Sequence, residues 1–438
     1  MPYLLNLVYL LLIVLFSPVL LYRAVRQGKY RQGWGEKLLG LVPRRQPRKM
    51  CLWLHAVSVG EVNLLGSLLR EIAAAQPDWE CVVSTTTLTG MALAGKKYPH
   101  LSCFYCPLDF SWAVRTAVRR IRPDVLVLVE LELWPNLIRA ARESGARVAV
   151  INGRLSERSL RGYRRIRPLV GWLLRQVDLV AVQDAVYADR FCQLGARPET
   201  VHVTGSMKYD GAETDRQNAT TQRLRRLAGL ADDDLVFLAG STQEPEEAAA
   251  LAAFQELAPQ WPKLRLILAP RHPERFEAVA RLLDRTGLSW QRRSALTEAR
   301  PEPDARILLV DTVGELWAWW GTAHVAFVGG SFGNRGGQNM IEPAAYGAAV
   351  CFGPNTDNFR DIVATMLAHR AAVVVRDGRQ LKDFLRRCLE DPLFAESLGS
   401  GAKQLVASQL GATKRTFSLL AGLLGRAAAD NPADRTAA

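Results

Sequence analysis

The chain has 438 residues, 49% of them hydrophobic and 23% charged, which excludes a mainly disordered or fibrous protein and leaves room for two or three domains. Its formal charge of +13 is concentrated: residues 23–49 carry nine Lys or Arg against Glu36 alone, and residues 154–175 carry seven Arg against Glu157 alone. With no zinc-finger, basic-zipper or RNA-recognition pattern, this distribution argues against a nucleic-acid partner and fits an anionic membrane surface or a phosphorylated substrate.

From Leu4 to Tyr22 the chain is almost continuously apolar, broken by Asn6 and by Ser17-Pro18. Helical residues at about 1.5 Å each over that run nearly span a ~30 Å hydrocarbon core. No Lys or Arg precedes Arg23, the reverse of a secretory signal. The expectation is a membrane anchor at 1–22 and a basic juxtamembrane segment at 23–49, with the body held on the cytoplasmic side of the inner membrane. Pro18 leaves a second reading, a kinked helix lying in the interface.

Beyond residue 50, short apolar runs at 51–54, 81–83, 125–129, 148–151, 179–182 and 201–203 predict buried parallel strands, with helical patterns such as 62–75 and 112–122 between them. A polar stretch at 211–232 predicts a linker. The scheme then restarts, with strands predicted at 235–239, 264–268, 307–310, 325–328, 350–352 and 372–375. The expected class is α/β: two doubly wound, Rossmann-like domains at 50–210 and 233–426, with a flexible tail at 427–438. Such sheets bind ligands at the carboxyl ends of their strands, so a cleft between the halves is the expected site.

Several strand ends carry residues fit for chemistry. Ser58-Val-Gly-Glu61 follows the first strand and has the spacing of a capping box; a carboxylate at that turn also suits a general base, and spacing leaves both readings open. Glu130 and Glu132, in Val-Glu-Leu-Glu-Leu-Trp-Pro-Asn, share one face of an extended chain, where like charges raise each other's pKa or call for a cation. Arg271, in Ala-Pro-Arg-His-Pro-Glu, is placed for an anion such as a phosphodiester, or is a plain surface arginine. The run 329–337, Gly-Gly-Ser-Phe-Gly-Asn-Arg-Gly-Gly, offers backbone amides to a phosphate or sugar, or is a tight turn. Glu342 beyond it suits ribose hydroxyls. Thr312-Val-Gly-Glu315 repeats the capping-box spacing. The seven cysteines are scattered, as in a reducing compartment, and neither they nor the six histidines have metal-ligand spacing. No metal or cofactor is expected.

Taken in order, these motifs resemble the 3-deoxy-D-manno-octulosonic acid (Kdo) transferases of glycosyltransferase family 30. The series runs Arg31-Gln-Gly-Trp-Gly-Glu36, His55-Ala-Val-Ser-Val-Gly-Glu61, Glu130-Leu-Glu-Leu-Trp-Pro-Asn136, Asn152-Gly-Arg-Leu-Ser-Glu-Arg-Ser159, Thr204-Gly-Ser-Met-Lys-Tyr-Asp210, Pro270-Arg-His-Pro-Glu-Arg275, Asp311-Thr-Val-Gly-Glu-Leu316 and Phe327-Val-Gly-Gly-Ser-Phe332. The resemblance implies a GT-B fold and an inverting, metal-independent transfer of Kdo from CMP-Kdo to a lipid A precursor in lipopolysaccharide synthesis. It places the general base on Glu61 and a second carboxylate on Glu130. It places CMP contacts on Pro270 and Arg271, on Val313, Gly314 and Glu315, and on Asn339, Met340, Ile341 and Glu342. Gln243 and Gln338 stand where the family commonly has His; glutamine keeps the hydrogen-bonding reach but carries no proton. The alternatives are a membrane-associated GT-B transferase using a UDP-sugar, and a tethered basic scaffold without catalysis.

Overall fold

The computed structural model describes residues 2–27, 32–296 and 305–430. The chain divides into two compact units: one runs to Asp210 and takes back the segment from Gln409 onward, and the other runs from Gly211 to Ser408.

The first unit is built on seven strands: β1 Cys51–His55, β2 Glu80–Thr85, β3 Ser102–Tyr105, β4 Val125–Val129, β5 Arg147–Gly153, β6 Leu179–Val182 and β7 Val201–Val203. All neighbouring strands pair parallel, in the order β3-β2-β1-β4-β5-β6-β7. Every residue of β1 and β4 is buried, as a sheet covered by helices on both faces demands. Successive side chains feed opposite cores: Trp53, Leu126 and Leu128 go to one, Leu52, Leu54, Val125 and Val127 to the other. Each fully buried aliphatic chain contributes roughly 1.5–3 kcal/mol. Strand order reverses between β1 and β4, so the turns carrying Glu61 and Glu130 flank the topological switch point of this sheet.

The second unit repeats the design with β8 Leu235–Thr242, β9 Leu264–Pro270, β10 Trp290–Arg292, β11 Ile307–Leu309, β12 Val325–Val328, β13 Ala349–Phe352 and β14 Val373–Val374. Their order is β10-β11-β9-β8-β12-β13-β14, again all parallel. Here the switch point falls between β8 and β12. The turn at Gln243 follows one of these strands and the glycine-rich run follows the other.

All twelve expected strands are present. The two that sequence patterning missed, β3 and β10, are the outermost strands on one side of each sheet. Their sequences, Ser-Cys-Phe-Tyr and Trp-Gln-Arg, are only half-buried, because an edge strand needs no continuous apolar run.

Several boundaries move. The stretch 211–232, expected as a linker, is integrated into the second unit. It contains the helix Ala219–Leu227, and the Arg216 guanidinium donates to the carbonyls of Tyr346 (2.8 Å), Gly321 (3.1 Å) and Ala323 (2.7 Å). The C-terminal helix Ala412–Asp430 belongs to the first unit, where Ala412, Leu420 and Leu424 enter the core beneath β1 and β4. Its start is gripped by Asp210, whose carboxylate accepts from the amides of Gly411 (2.7 Å) and Thr413. Of the expected tail, residues 427–430 continue this helix and the rest lies outside the described residues.

The anchor at 1–22 also needs correcting: among the described residues no helix is long and apolar enough to cross a membrane. The helix Pro2–Gln27 instead docks its first turns on the body. Asn6, expected as a flaw in an apolar run, is buried; its amide donates to Ser111 Oγ (2.7 Å) and its Oδ1 accepts from the Ser111 amide (3.0 Å). Tyr9 OH donates to Asp109 (3.1 Å). The basic segment is not a free collar either. Arg45 pairs with Glu80 at 2.6 Å and Arg120 donates to the Val42 carbonyl at 2.5 Å, pinning residues 42–45 to the sheet unit. Lys29 and Arg31 lie outside the described residues.

Candidate functional site

In the first unit the helix Val59–Ala75 begins where β1 ends. Ser58 is its N-cap, with Oγ accepting from the Glu61 amide (3.3 Å). Glu61 Oε1 accepts from Ser58 Oγ (2.7 Å) and Oε2 from the Val57 amide (2.8 Å). Ser58 therefore caps the helix, and Glu61 reaches back to the amide one residue before the cap, a shifted form of the capping box. It is also a mount that orients a carboxylate. Burial raises the Glu61 pKa above the ordinary carboxylate value. The Ser58 and Val57 hydrogen bonds oppose the rise, and the charges of Glu130 and Glu132 add to it. The group that stitches the helix start is thus also a partly buried carboxylate of increased proton affinity.

Glu130 does not continue β4 as an extended residue. It turns at φ 61°, a left-handed conformation that a non-glycine residue adopts at a cost of about 1–3 kcal/mol. The turn carries its side chain to two cations, Arg154 Nε at 2.7 Å and Lys208 Nζ at 3.3 Å. Glu132 accepts from Trp134 Nε1 (3.0 Å), and its pKa is raised by burial, against that hydrogen bond and with the Glu130 charge adding. The acids thus do not share one strand face as expected, but they act on one another electrostatically. Neither capping nor spacing pointed to Lys208 and Arg154, which reach this turn from the 204–210 and 152–159 motifs. Asn152, also left-handed at φ 52°, is fully buried and accepts from the Met207 amide (3.0 Å), tying those two motifs together. The helix Pro135–Glu143 that follows has Trp134 at its N-cap with no capping side chain. Asp109 caps it from a distance by accepting from the Asn136 and Leu137 amides at 3.0 and 2.8 Å. Burial pushes the Asp109 carboxyl up to about 6.

His55, at the end of β1, is completely buried, with Nδ1 2.9 Å from Ser84 Oγ. Burial pushes its pKa down to about 4, so the ring is neutral and is no charged partner for the acids.

In the second unit Pro270 ends β9 and is buried, whereas Arg271 is exposed. Its guanidinium makes no ion pair among the described residues, and its charge acts on Glu342. Arg275, four residues on, is taken by the buried Glu247 (3.0 Å) and by Glu244 (3.2 Å). A cavity of about 470 Å³ opens here, lined by Gln243, Glu244, His272, Glu274, Arg275 and Arg335. Gln243 and Gln338, both unusual for the resembled family, approach the same Gly330: a Cβ on that glycine would lie 3.4 Å from one amide nitrogen and 3.2 Å from the other.

Thr312 and Glu315 do not form a capping box, because Glu315 is itself the N-cap of the short helix Leu316–Trp319. Thr312 Oγ1 donates to Glu315 (2.7 Å), which also receives Arg293 through Nε at 2.9 Å and a second nitrogen at 2.8 Å. Burial alone would raise the Glu315 pKa, but these hydrogen bonds and the Arg293 charge bring it below the ordinary value. The latch leaves Val313 78% exposed and Gly314 at φ 95°, an accessible turn.

Asn339 Oδ1 accepts from the Ile341 amide (3.1 Å), and its Nδ2 donates to Glu342 (3.0 Å). Met340 and Ile341 are core residues, so only their main chains are available to a ligand. Burial raises the Glu342 pKa, with the Asn339 and Trp320 hydrogen bonds and the Arg271 charge opposing. The helix starting at Ile341 has only five residues, so the resource on this turn is its side chains.

At the start of the glycine-rich run the ligand reading fails for three amides. The amides of Gly330, Ser331 and Phe332 are not open to a ligand: they donate to the buried Glu246 carboxylate at 2.7, 2.8 and 2.9 Å. Sequence reading passed over Glu246 because Gln-Glu-Pro-Glu-Glu reads as a solvated helix start.

Residues 32–211 match the family model described as 3-deoxy-D-manno-octulosonic-acid transferase (kdotransferase). A 3-deoxy-D-manno-octulosonic acid transferase from Bordetella pertussis is 34% identical over 92% of this chain and 95% of its own. The Haemophilus influenzae protein of the same description is 31% identical over 95% and 98%. Among solved structures, UDP-GlcNAc 2-epimerase from Neisseria meningitidis covers 85% of this chain and all of its own with a TM-score of 0.54 at 13% identity, a likeness of fold alone. The two parallel α/β sheets, the acid and arginine turns at their carboxyl edges and relatives matched along nearly their whole length agree: the chain belongs to the Kdo transferase family of glycosyltransferases.

Proposed function

We propose that the chain transfers Kdo from CMP-Kdo to a phosphorylated lipid A precursor, with inversion and without a metal. The observation that carries the reading is Glu61, a partly buried carboxylate of raised pKa held by two hydrogen bonds at the switch point of the first sheet. An acceptor hydroxyl attacks the anomeric carbon of Kdo, the bond from that carbon to the CMP phosphate oxygen breaks, and CMP leaves with the bonding electrons. The hydroxyl proton passes to Glu61. Its raised proton affinity improves the match to an alcohol, a contribution on the order of 10²–10⁴-fold. Glu130 serves as a fixed charge, held by Arg154 and Lys208 and acting on Glu61.

CMP gains charge as it leaves, and Arg271 is an exposed cation placed to receive it. Val313 and Gly314 offer an accessible turn to the nucleotide, with Glu315 latched behind them, and Asn339 and Glu342 offer polar groups to its hydroxyls. Pro270, Met340 and Ile341 set the backbone of these turns.

Arg158, Arg161, Arg165 and Arg167 are exposed and form no ion pairs among the described residues, which suits the acceptor's phosphates. Leu7, Leu11, Val14 and Leu15 are exposed on the helix Pro2–Gln27, away from the buried Asn6. This apolar side, with Arg26 in the last turn of the same helix, suits the anionic inner-membrane leaflet.

Mass analysis of products with an acylated, bisphosphorylated glucosamine disaccharide as acceptor, and CMP-Kdo or UDP-sugars as donors, tests the reading. Addition of Kdo from CMP-Kdo alone is expected. Transfer from a UDP-sugar, or none from CMP-Kdo, overturns it.

A further inference from the structure

Three consecutive amides at the end of β12 converge as they do where a loop cradles a phosphate, yet the anion they hold is the protein's own. Glu246 is 1% exposed. Its Oε2 accepts from the Gln243 amide (2.9 Å) and the Gly330 amide (2.7 Å); its Oε1 accepts from the Ser331 amide (2.8 Å) and the Phe332 amide (2.9 Å). A carboxylate has about four acceptor sites, and amides occupy four here. Among the described residues no cation pairs with it, so these charge-assisted bonds are what offset the cost of burying the charge.

The surroundings are shaped for this contact. A Cβ on Gly329 would lie 2.7 Å from Glu246 Oε2 and equally close to backbone, so only glycine fits. Downstream, Ser331 Oγ donates to the Val328 carbonyl (2.7 Å) and accepts from the Gly353 amide (2.8 Å), and the Gly337 amide donates to the Gly330 carbonyl (2.8 Å). The run is thus fixed at its start by Glu246 and closed on itself at its end, two residues before Asn339.

We propose that Glu246 is a positioning residue: its buried carboxylate fills the anion nest after β12 and fixes the loop that presents Asn339 and Glu342 to the donor nucleotide. The proposal rests on the nucleotide reading above. It assigns the donor phosphate to groups other than the amides of Gly330–Phe332.

Glu246→Gln keeps the shape but turns an NH₂ group toward N–H donors. With charge-assisted bonds lost, the variant is expected to raise the Kd for CMP and the KM for CMP-Kdo about tenfold or more, with kcat at saturating donor changed less than about threefold. A merely structural role would lower the melting temperature and the active fraction but leave KM unmoved. A folded variant with wild-type Kd and KM overturns the proposal. Hydrogen exchange on the unmutated protein decides the matter even where the variant does not fold. The amides of residues 330–332 are expected to exchange slowly without CMP and equally slowly with it. Fast exchange in the free protein, or protection gained only on adding CMP, overturns the proposal. Absence of any CMP binding by calorimetry would instead strike the nucleotide reading, while the exchange in the free protein still tests whether the nest is filled.

Discussion

The two sheets share a topology but differ in how most of the carboxylates at their edges are matched. At the switch point of the first, Glu61, Glu130 and Glu132 act on one another, and burial raises the proton affinity of Glu61 and Glu132. At the edge of the second, Glu246 is saturated by amides, Glu247 holds Arg275 and Glu315 holds Arg293; Arg271 stays exposed, with no ion pair among the described residues. Each edge has an exception: burial raises the proton affinity of Glu342 on the second, and Glu130 on the first is held by Arg154 and Lys208. The difference lies in whether each acid is left partly unmatched or given a full set of donors.

The sharpest way to break this contrast is Glu61→Gln. Turnover is expected to fall on the order of 10²–10⁴-fold, while calorimetric CMP binding, which the proposal places on residues of the other unit, stays at the wild-type value. More than a tenth of wild-type turnover would reduce Glu61 to a helix cap. Arg271→Ala tests the opposite edge. Loss of one hydrogen bond to a charged group, about 1.5–3 kcal/mol, weakens CMP binding by about 10–100-fold; an unchanged Kd would assign the phosphate elsewhere. The arginine is exposed, so unfolding by urea should be unaffected.

Smaller effects sharpen the electrostatic half of the comparison. A base works only when deprotonated, so activity is lost as pH falls through the raised Glu61 pKa. In Glu130→Gln a neighbouring negative charge disappears, the Glu61 pKa drops, and the acidic limb of the kcat/KM profile moves to lower pH. Ser58→Ala removes a hydrogen bond that stabilises the charged form, so the limb moves to higher pH. Losing the cap also costs about 1 kcal/mol of stability in a urea titration. Limbs that move together, or not at all, would mean that Glu61 is not the titrating base. Raised pKa values also weigh on folding: the native protein holds a proton at Glu61 that the unfolded chain has released, so this group's contribution falls as pH rises from the ordinary carboxylate value through the raised one.

Much of this was legible in the chain. Apolar runs gave the inner strands of both sheets, because a strand covered on both faces has no polar side to show, and also the edge strands β7 and β14. The edge strands β3 and β10 were not legible, since Ser-Cys-Phe-Tyr and Trp-Gln-Arg lack the β-branched aliphatic residues by which the opposite edges β7 and β14 could be read. Ser58 and Glu61 could be read as a pair, but their spacing could not reveal that the cap also raises a pKa, which depends on burial and on acids about seventy residues away. The glycine-rich run was legible as a turn of special backbone; that the amides of Gly330, Ser331 and Phe332 are already spent was not, because Glu246 lies 84 residues before the first of them.

The sequence by itself therefore determined the elements, their alternation and the family, since hydrophobic period and short motifs are local properties of the chain. Tertiary structure alone decided which charges meet. It turned Glu130 toward Arg154 and Lys208, set Glu246 among the loop amides, drew the C-terminal helix onto the first unit and docked Asn6 against Ser111. Electrostatic interactions and buried hydrogen bonds act over a few ångströms of space whatever the separation along the chain, and only folding fixes those distances.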